Sequence, residues 1–355
     1  MAPAKPDSLI MDKVIDMERD HQINSSDNAH LKSSASIRMN ELGAQQKPFL
    51  FIIDFEMLHP IVKELPLIDD DILFDINGFT NAESSHQDIS KEIIFSKLPV
   101  SFPVYKTAFD KIMYNIRQGN SYLVNLTQPS QVEINLSAKE IFYGSQAKYK
   151  VCFYDKFVVF SPEAFIIIRN NVIHSYPMKG TIDAAIPDAD TIILEDEKEK
   201  AEHMTMVDLI RNDMSLFAKN VRVNKLRYLD HLVTNQKNLW QVSSEITGEL
   251  PGDYAANIGE IIFSMLPAGS ISGAPKKKTI EIIKSAENYA RGYYTGVFGY
   301  FDGKYLDSGV MIRYMEKDKD KWIYKSGGGI TAMSNAASEY QELINKIYVP
   351  VNRKY

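Results

Sequence analysis

The chain has 355 residues and a single cysteine, Cys152. One thiol excludes an internal disulfide and any metal site built from several thiolates. It is typical of proteins in the reducing cytoplasm, where we expect this chain to reside. No stretch of about 18 apolar residues is present, so the sequence predicts no transmembrane helix and no membrane partner.

The chain also lacks a basic excess. Lysine and arginine number 40 against 46 acidic residues, and the formal net charge is -6. Proteins that bind nucleic acids normally carry a positive surface, so we expect no nucleic-acid partner. An anionic small-molecule substrate is compatible with this charge, because only its pocket needs to be positive.

The pattern of apolar residues changes after the first 45 positions. Residues 1–45 are polar with few aromatics, so we expect a flexible, loosely ordered N-terminal extension with at most one short helix. Residues 46–355 mix strand and helix patterns without strict βαβ alternation, which favours an α+β fold in a single large domain. We expect helices at residues 105–118, 195–217 and 335–348, a hairpin at Asn170-Asn171, and a meander over residues 296–325.

Two pairs of glutamates lie three residues apart on two of the predicted helices. Glu199 and Glu202 form one pair, while Glu339 and Glu342 form the other, with Lys346 on the same face. Two carboxylate pairs supply the oxygen ligands that suit Mg²⁺, and no paired histidines or thiolates favour zinc. A solvated acidic helix face is the alternative that such charge patterns leave open.

Two basic residues occupy unusual places. Lys179 stands at the end of a predicted strand, directly before Gly-Thr, and a desolvated lysine there would be a nucleophile. The alternative is a loop lysine exposed to solvent. Arg313 lies in an apolar run, where it would bind a substrate carboxylate or pair with a protein carboxylate.

Two runs of small residues suggest close approach to a ligand. Residues 269–276 lead into a proline and a predicted helix, so their amides form either an anion site or a simple turn. Three glycines at 327–329 follow a strand and indicate either close backbone approach by a ligand or a flexible turn.

Taken in order, these motifs resemble the chorismate-utilising enzymes, which include aminodeoxychorismate synthase component I, anthranilate synthase component I, isochorismate synthase and salicylate synthase. The matching blocks are residues 119–126, 161–163, 177–181, 201–213, 269–276, 291–296, 299–300, 312–313, 327–330 and 339–342. The resemblance implies a chorismate-binding fold, with a β-sandwich core flanked by helices and the active site between the sheets. Residues 46–355 would then be the chorismate-binding catalytic domain.

Within this group, the residue before Gly-Thr distinguishes the enzymes by the product they make. Relatives that make anthranilate or salicylate have alanine there, whereas aminodeoxychorismate synthases have lysine, as at Lys179. The resemblance therefore implies amination of chorismate to 4-amino-4-deoxychorismate through a covalent lysine adduct at C2, for para-aminobenzoate and folate biosynthesis. Ammonia would come from a glutamine amidotransferase on a separate chain, because this chain shows no Cys-His glutaminase site.

The resemblance also assigns roles to individual residues. Glu163 matches the general acid that protonates the departing hydroxyl. Glu202 and Glu342 match the Mg²⁺ ligands, with Glu199 and Glu339 close by. The residues that match substrate-binding groups are Thr181, Ser270, Tyr300, Arg313, Gly327, Gly328, Gly329 and Lys346.

Two positions depart from the pattern of the relatives. Leu123 stands where isochorismate and salicylate synthases have a water-activating lysine, which argues against water as the nucleophile. Gln241 stands where aromatising relatives have a histidine linked to pyruvate elimination, which is compatible with a non-aromatic product. Anthranilate synthase component I and a non-catalytic chorismate-binding subunit are the alternative functions.

Overall fold

The computed structural model describes residues 25–84, 86–154, 156–233 and 238–351. In this part of the chain the strands are β1 (Phe49–Ile53), β2 (Ile61–Glu64), β3 (Ile72–Ile76), β4 (Phe79–Thr80), β5 (Phe95–Leu98), β6 (Leu123–Ile134), β7 (Tyr149–Phe153), β8 (Phe157–Ser161), β9 (Ala164–Arg169), β10 (Val172–Ser175), β11 (Met178–Asp183), β12 (Lys219–Val233), β13 (Asn238–Glu249), β14 (Gly273–Ala274), β15 (Val297–Phe301), β16 (Leu306–Val310), β17 (Tyr314–Asp318) and β18 (Lys321–Ile330). The helices are α1 (Ser25–Ala44), α2 (Phe102–Arg117), α3 (Ala138–Gly144), α4 (Ala189–Glu195), α5 (Glu197–Met214), α6 (Ile258–Ser264), α7 (Lys276–Ala286) and α8 (Ala336–Asn345).

The strands form two antiparallel sheets. The first has the order β11-β13-β10-β9-β16-β15-β1-β2, and β12 also pairs with β13. The second has the order β14-β6-β18-β17-β8-β7-β3-β4, and β5 also pairs with β6. The strands are not arranged in βαβ units, so the predicted α+β class is confirmed.

The alternation of side chains along each strand divides the core into two parts. In β1, Leu50 and Ile52 join a cluster built of strand and loop residues from both sheets, which fills the space between them. Phe49 and Phe51 point the other way, into a larger cluster that also contains apolar residues of the helices. The helices therefore cover the sheets, as the β-sandwich prediction required.

Helix α1 contradicts the prediction of a flexible extension over residues 1–45. Met39 and Leu42 are fully buried. Asn40 accepts a hydrogen bond from the Gly259 amide of α6 at 2.8 Å, and a side chain on Gly259 would collide with the Ser36 carbonyl. The prediction is wrong for α1 because a few well-spaced apolar residues suffice to dock a polar helix. Residues 1–24 lie outside the described residues.

The other predicted elements are found with altered bounds. The helix predicted at 195–217 is α5, with slightly narrower bounds. Asp196 separates it from α4, and the Asp196 carboxylate caps α5 by accepting a hydrogen bond from the Glu199 amide at 2.9 Å. The predicted meander is divided as well, because β15 and β16 belong to the first sheet while β17 and β18 belong to the second. The hairpin is confirmed, with positive φ at both Asn170 and Asn171. Among the described helices, none is long and apolar enough to span a membrane.

Candidate active site

Lys179 lies on β11, at the edge of the first sheet. The register between β11 and β13 shifts between Lys179 and Thr181, and Gly180 in between has a φ of 73°. Such a bulge changes the direction of the side chains around it, and glycine accepts the positive φ without strain. Lys179 is largely buried, with its Nζ 3.7 Å from Oε2 of Glu202, whereas Thr181 is exposed.

Four glutamates from α5 and α8 converge beside this lysine, and we call them the glutamate cluster: Glu199, Glu202, Glu339 and Glu342. Glu202 and Glu339 are each only 4% exposed. Lys198 lies between these two, with Nζ 2.7 Å from Oε1 of Glu339 and 3.5 Å from Oε1 of Glu202. The convergence expected from the Glu-x-x-Glu spacings is therefore present.

The members of the cluster differ in their electrostatics. Burial raises the pKa of both Glu202 and Glu199, and for Glu199 the neighbouring Glu202 charge adds to the effect. Burial also opposes ionisation of Glu342, but Lys346, with Nζ 2.6 Å from Oε1, outweighs it and lowers the pKa. Burial disfavours the charge on Lys198, but Glu339 and Glu202 outweigh it and raise the pKa of this lysine.

The donor atoms of the glutamate cluster suit a hard cation. As they stand, no three histidine, cysteine or acidic side chains in the described part of the chain form a ready metal site. However, Oε1 of Glu202 and Oε2 of Glu339 are buried and accept no hydrogen bond. A buried carboxylate oxygen without a partner is costly, and oxygen-only donors are those Mg²⁺ prefers. The residues therefore fit the predicted ion.

Two of the three glycines of β18, Gly328 and Gly329, lie against the glutamate cluster, and Gly327 contacts the neighbouring Lys346. A Cβ on Gly329 would be 2.8 Å from Oε2 of Glu202 and 3.4 Å from Nζ of Lys179, and one on Gly328 would be 3.2 Å from Oε1 of Glu342. The Gly327 carbonyl accepts from Nζ of Lys346 at 2.9 Å. Strand β17 pairs with β18 only as far as Lys325, so residues 327–329 pair with β6 on one side and have no paired strand on the other. The glycines therefore allow charged groups to approach the backbone closely.

Glu163 follows β8 and is buried within reach of the same charges. Burial raises its pKa, against the lowering effects of a hydrogen bond with Ser270 and of the positive charges on Lys179, Arg313 and Lys346. A carboxyl group with a raised pKa retains its proton at higher pH and is suited to proton donation. The structure thus brings Glu163, Ser270 and the predicted basic residues into one site.

Arg313 lies between β16 and β17 rather than within a strand. Its φ is 52°, a left-handed conformation that for arginine costs about 1 kcal/mol and is imposed by the surrounding structure. Its Nε donates to the Tyr348 hydroxyl at 3.3 Å, and the guanidinium lies 5.3 Å from the centre of that ring. This turn holds the guanidinium near Glu163, at the point where the chain crosses between sheets.

The sequence matches the family model described as chorismate binding enzyme over residues 44–352. The chain belongs to the chorismate-binding enzymes. The resemblance stated from the motifs is therefore confirmed at the level of the family.

Several relatives are similar over most of the chain. An uncharacterized PabA-like protein of Pasteurella multocida is 46% identical over 313 residues, which cover 88% of this chain and 97% of the relative. One from Haemophilus influenzae is 47% identical, with 88% and 95% covered. Anthranilate synthase component 1 of Acetivibrio thermocellus is 33% identical over 250 residues, which cover 65% of this chain and 49% of that protein.

Solved structures confirm the fold. The menaquinone-specific isochorismate synthase MenF of Escherichia coli superposes with a TM-score of 0.65 at 15% identity, covering 88% of this chain and 80% of that one. Anthranilate synthase component I from Streptococcus pneumoniae superposes with a TM-score of 0.61 at 26% identity, covering 73% and 60%. The predicted chorismate-binding fold in a single domain is confirmed.

Two predicted substrate-binding residues of this family member lie away from the glutamate cluster. Tyr300 stacks on Phe79, with ring centres 4.1 Å apart, in the core between the sheets. Thr181 is exposed beyond the bulge. Tyr294, which precedes β15, is instead one of the tyrosines that interact electrostatically with Arg313, together with Tyr348 and Tyr324. The sequence offered several tyrosines in this region and no pattern that separates them.

The sequence motifs did not single out Lys198, a basic residue of the site that contacts Glu202 and Glu339. Lys198 was detectable, because it precedes Glu202 by four residues on one helix face. Leu123 was noted as a departure from the family, and the structure places its Cδ1 3.0 Å from the Cβ position of Gly329. An apolar side chain therefore lines the site at this position.

Proposed function

We propose that this chorismate-binding enzyme aminates chorismate to 4-amino-4-deoxychorismate. The observation that carries the proposal is Lys179, which stands before Gly-Thr and directs its amine to the glutamate cluster, 3.7 Å from Glu202. The relatives that share nearly half of its residues carry the name PabA-like, which supports the same branch of the family.

The proposed reaction has two displacement steps. The neutral amine of Lys179 forms a bond to C2 of chorismate, both ring double bonds shift, and the C4–O bond breaks. Glu163 donates its proton to the departing oxygen, which leaves as water; the raised pKa of this carboxyl supports that role. Ammonia then bonds to C4, the double bonds shift back, and the lysine leaves C2. The proton lost by the new ammonium group restores Glu163.

The remaining residues would hold the two substrate carboxylates. Arg313 and Lys346 supply positive charge, while Ser270 and the backbone edge at residues 327–329 supply hydrogen-bond donors. Glu202 and Glu342, with Glu199 and Glu339 beside them, would hold Mg²⁺, which supplies positive charge for a substrate carboxylate. Ammonia would be delivered by a separate glutamine amidotransferase, because ammonia is mostly protonated in neutral water.

Anthranilate synthesis is the second candidate, since relatives 33% identical carry that name. In that reaction ammonia itself attacks C2. Here the side chain of Lys179 extends to the cluster and would occupy the space of the attacking ammonia. A non-catalytic chorismate-binding subunit is less well supported. Binding alone does not require a buried carboxyl group with a raised pKa, a lysine directed at the glutamates and two carboxylate pairs in one site.

The product decides between these functions. Purified protein with chorismate, Mg²⁺ and ammonium should form 4-amino-4-deoxychorismate without releasing pyruvate, as identified by mass spectrometry. Glutamine should not replace ammonium for this chain alone. Anthranilate as the main product would overturn the assignment, and no turnover of chorismate with any nitrogen source would favour the binding subunit.

The lysine adduct has its own test. Chorismate supplied without ammonia should add the mass of chorismate minus one water to the intact protein. Lys179→Ala should abolish the adduct, whereas Lys200→Ala, on the exposed face of α5, should retain it. Unchanged amination at C4 by Lys179→Ala, with no adduct in the wild type, would show that the lysine only positions substrate.

A further inference from the structure

Lys198 connects the two helices that carry the glutamate cluster. It lies in the first turn of α5, and its Nζ reaches Oε1 of Glu339 on α8 at 2.7 Å and Oε1 of Glu202 one turn along α5 at 3.5 Å. Its side chain is 27% exposed, against 4% for Glu202 and 3% for Glu339. The ammonium group therefore meets the two buried carboxylates from the solvent side.

This ammonium satisfies the two carboxylates only in part. It makes a short contact to one oxygen of Glu339, while the other oxygen of Glu339 and Oε1 of Glu202 are buried without a hydrogen bond. A divalent cation binds several carboxylate oxygens at once and would satisfy more of them. It would draw on the same oxygens that Lys198 contacts, and two cations cannot share them because they repel strongly in a half-buried site.

We propose that Lys198 is a displaceable counter-cation of the glutamate cluster. It neutralises Glu202 and Glu339 when no divalent cation is bound, and its ammonium moves out to solvent when Mg²⁺ binds. The inference rests on the proposed Mg²⁺ site. The side chain is partly exposed and lies at the start of a helix, so a change of side-chain rotamer can bring its ammonium group into solvent.

Two consequences follow for binding and stability. Displacement of the lysine opposes metal binding, so removal of its charge tightens Mg²⁺ binding. Without metal, the same substitution leaves two buried carboxylates facing each other with less compensation, so the folded state loses stability. Saturating Mg²⁺ restores that stability because the ion replaces the lost charge.

Isothermal titration with MgCl₂ and thermal unfolding test the proposal without reference to activity. Lys198→Met should bind Mg²⁺ about tenfold more tightly than wild type, which corresponds to about 1.4 kcal/mol. Lys200→Met is the matched control, because Lys200 lies on the same helix and forms an ion pair with the exposed Glu197 at 3.3 Å. The Mg²⁺ affinity of this variant should stay within about twofold of wild type. In EDTA, Lys198→Met should melt below wild type, and saturating Mg²⁺ should remove the difference.

A second variant and the failure outcomes complete the design. Lys198→Arg keeps the charge and should keep an affinity close to that of wild type. Equal or weaker Mg²⁺ binding by Lys198→Met would overturn the inference, as would a Lys198→Met chain that stays unfolded in saturating Mg²⁺. Wild-type protein that binds no Mg²⁺ would remove the metal site from the proposed function and the inference with it.

Discussion

A single methyl group added at Gly329 should reduce catalysis without unfolding the protein. Its Cβ would lie 2.8 Å from Oε2 of Glu202, 3.0 Å from Cδ1 of Leu123 and 3.4 Å from Nζ of Lys179. These are ends of side chains, so they can move, but the carboxylate has to retreat by roughly half an ångström to restore ordinary contact. The methyl group thus acts between the proposed nucleophile and a proposed metal ligand.

The size of the effect follows from the sensitivity of catalysis to position. A misplacement of about 1 Å costs about a hundredfold in rate, so Gly329→Ala should lower kcat/KM about ten- to a hundredfold. The free energy of unfolding should change by less than about 1 kcal/mol, because flexible side-chain ends absorb the contact. Chorismate consumption with Mg²⁺ and ammonium measures the first quantity, and urea unfolding measures the second.

Gly252 provides a matched control for this substitution. A Cβ there meets no atom within 4 Å, so Gly252→Ala should leave both activity and stability unchanged. Wild-type kcat/KM in Gly329→Ala would refute the placement of the reacting groups against the glycine run. A loss of several kcal/mol of stability would instead show that the backbone, rather than the side chains, resists the methyl group.

Three further substitutions test other parts of the structure. Glu202→Gln should abolish both turnover and the Mg²⁺ binding seen in titration. It should melt within a few degrees of wild type, since the shape of the side chain is kept. Turnover by the wild type in the presence of EDTA would contradict the metal role. Leu42→Ala should reduce the free energy of unfolding by about 2–4 kcal/mol, because Leu42 is fully buried. The control Ile37→Ala, at an exposed position of the same helix, should cost less than about 0.5 kcal/mol. Equal effects would show that α1 is not docked. Burial, with the charge of Arg169, lowers the pKa of His174, so the unfolded chain takes up a proton first as pH falls through about 6.5. Wild type should lose stability over that interval while His174→Gln loses less, and parallel urea midpoints from pH 5 to 7.5 would contradict this.

The sequence predicted the family, the α+β class and the convergence of the carboxylates, because each depends on local patterns. Glu199 and Glu202 are three residues apart and share a face of α5 wherever that helix lies in the fold. Glu339 and Glu342 share a face of α8 for the same reason. Spacing alone does not show that the two helices meet. That expectation came from the order of the motifs, which resembles the chorismate-utilising enzymes. The proximity of the four glutamates was therefore within reach of the sequence, whereas their chemical roles belong to the proposed function.

The structure adds most to the sequence where tertiary packing decides the position of a residue. Tyr300 and Tyr294 are both buried tyrosines, and only the fold shows that the first stacks on Phe79 while the second lies near Arg313. The two-sheet division of β15 to β18 was invisible for a similar reason: strand patterns do not reveal that the chain changes sheets at Arg313. Helix α1 was missed because its docking rests on few residues within a polar segment.

The charges of the site explain why a dicarboxylate substrate would need a divalent cation. Four glutamates of the cluster face the positive charges of Lys179, Lys198, Lys346 and Arg313, and burial favours the neutral form of Glu163. The site is therefore close to electrically balanced before substrate enters. Chorismate would bring two further negative charges into a half-buried space, where uncompensated charge is costly. A bound Mg²⁺ adds two positive charges, one of which replaces the charge of the displaced Lys198, so under the proposed function the ion should enter before chorismate or together with it.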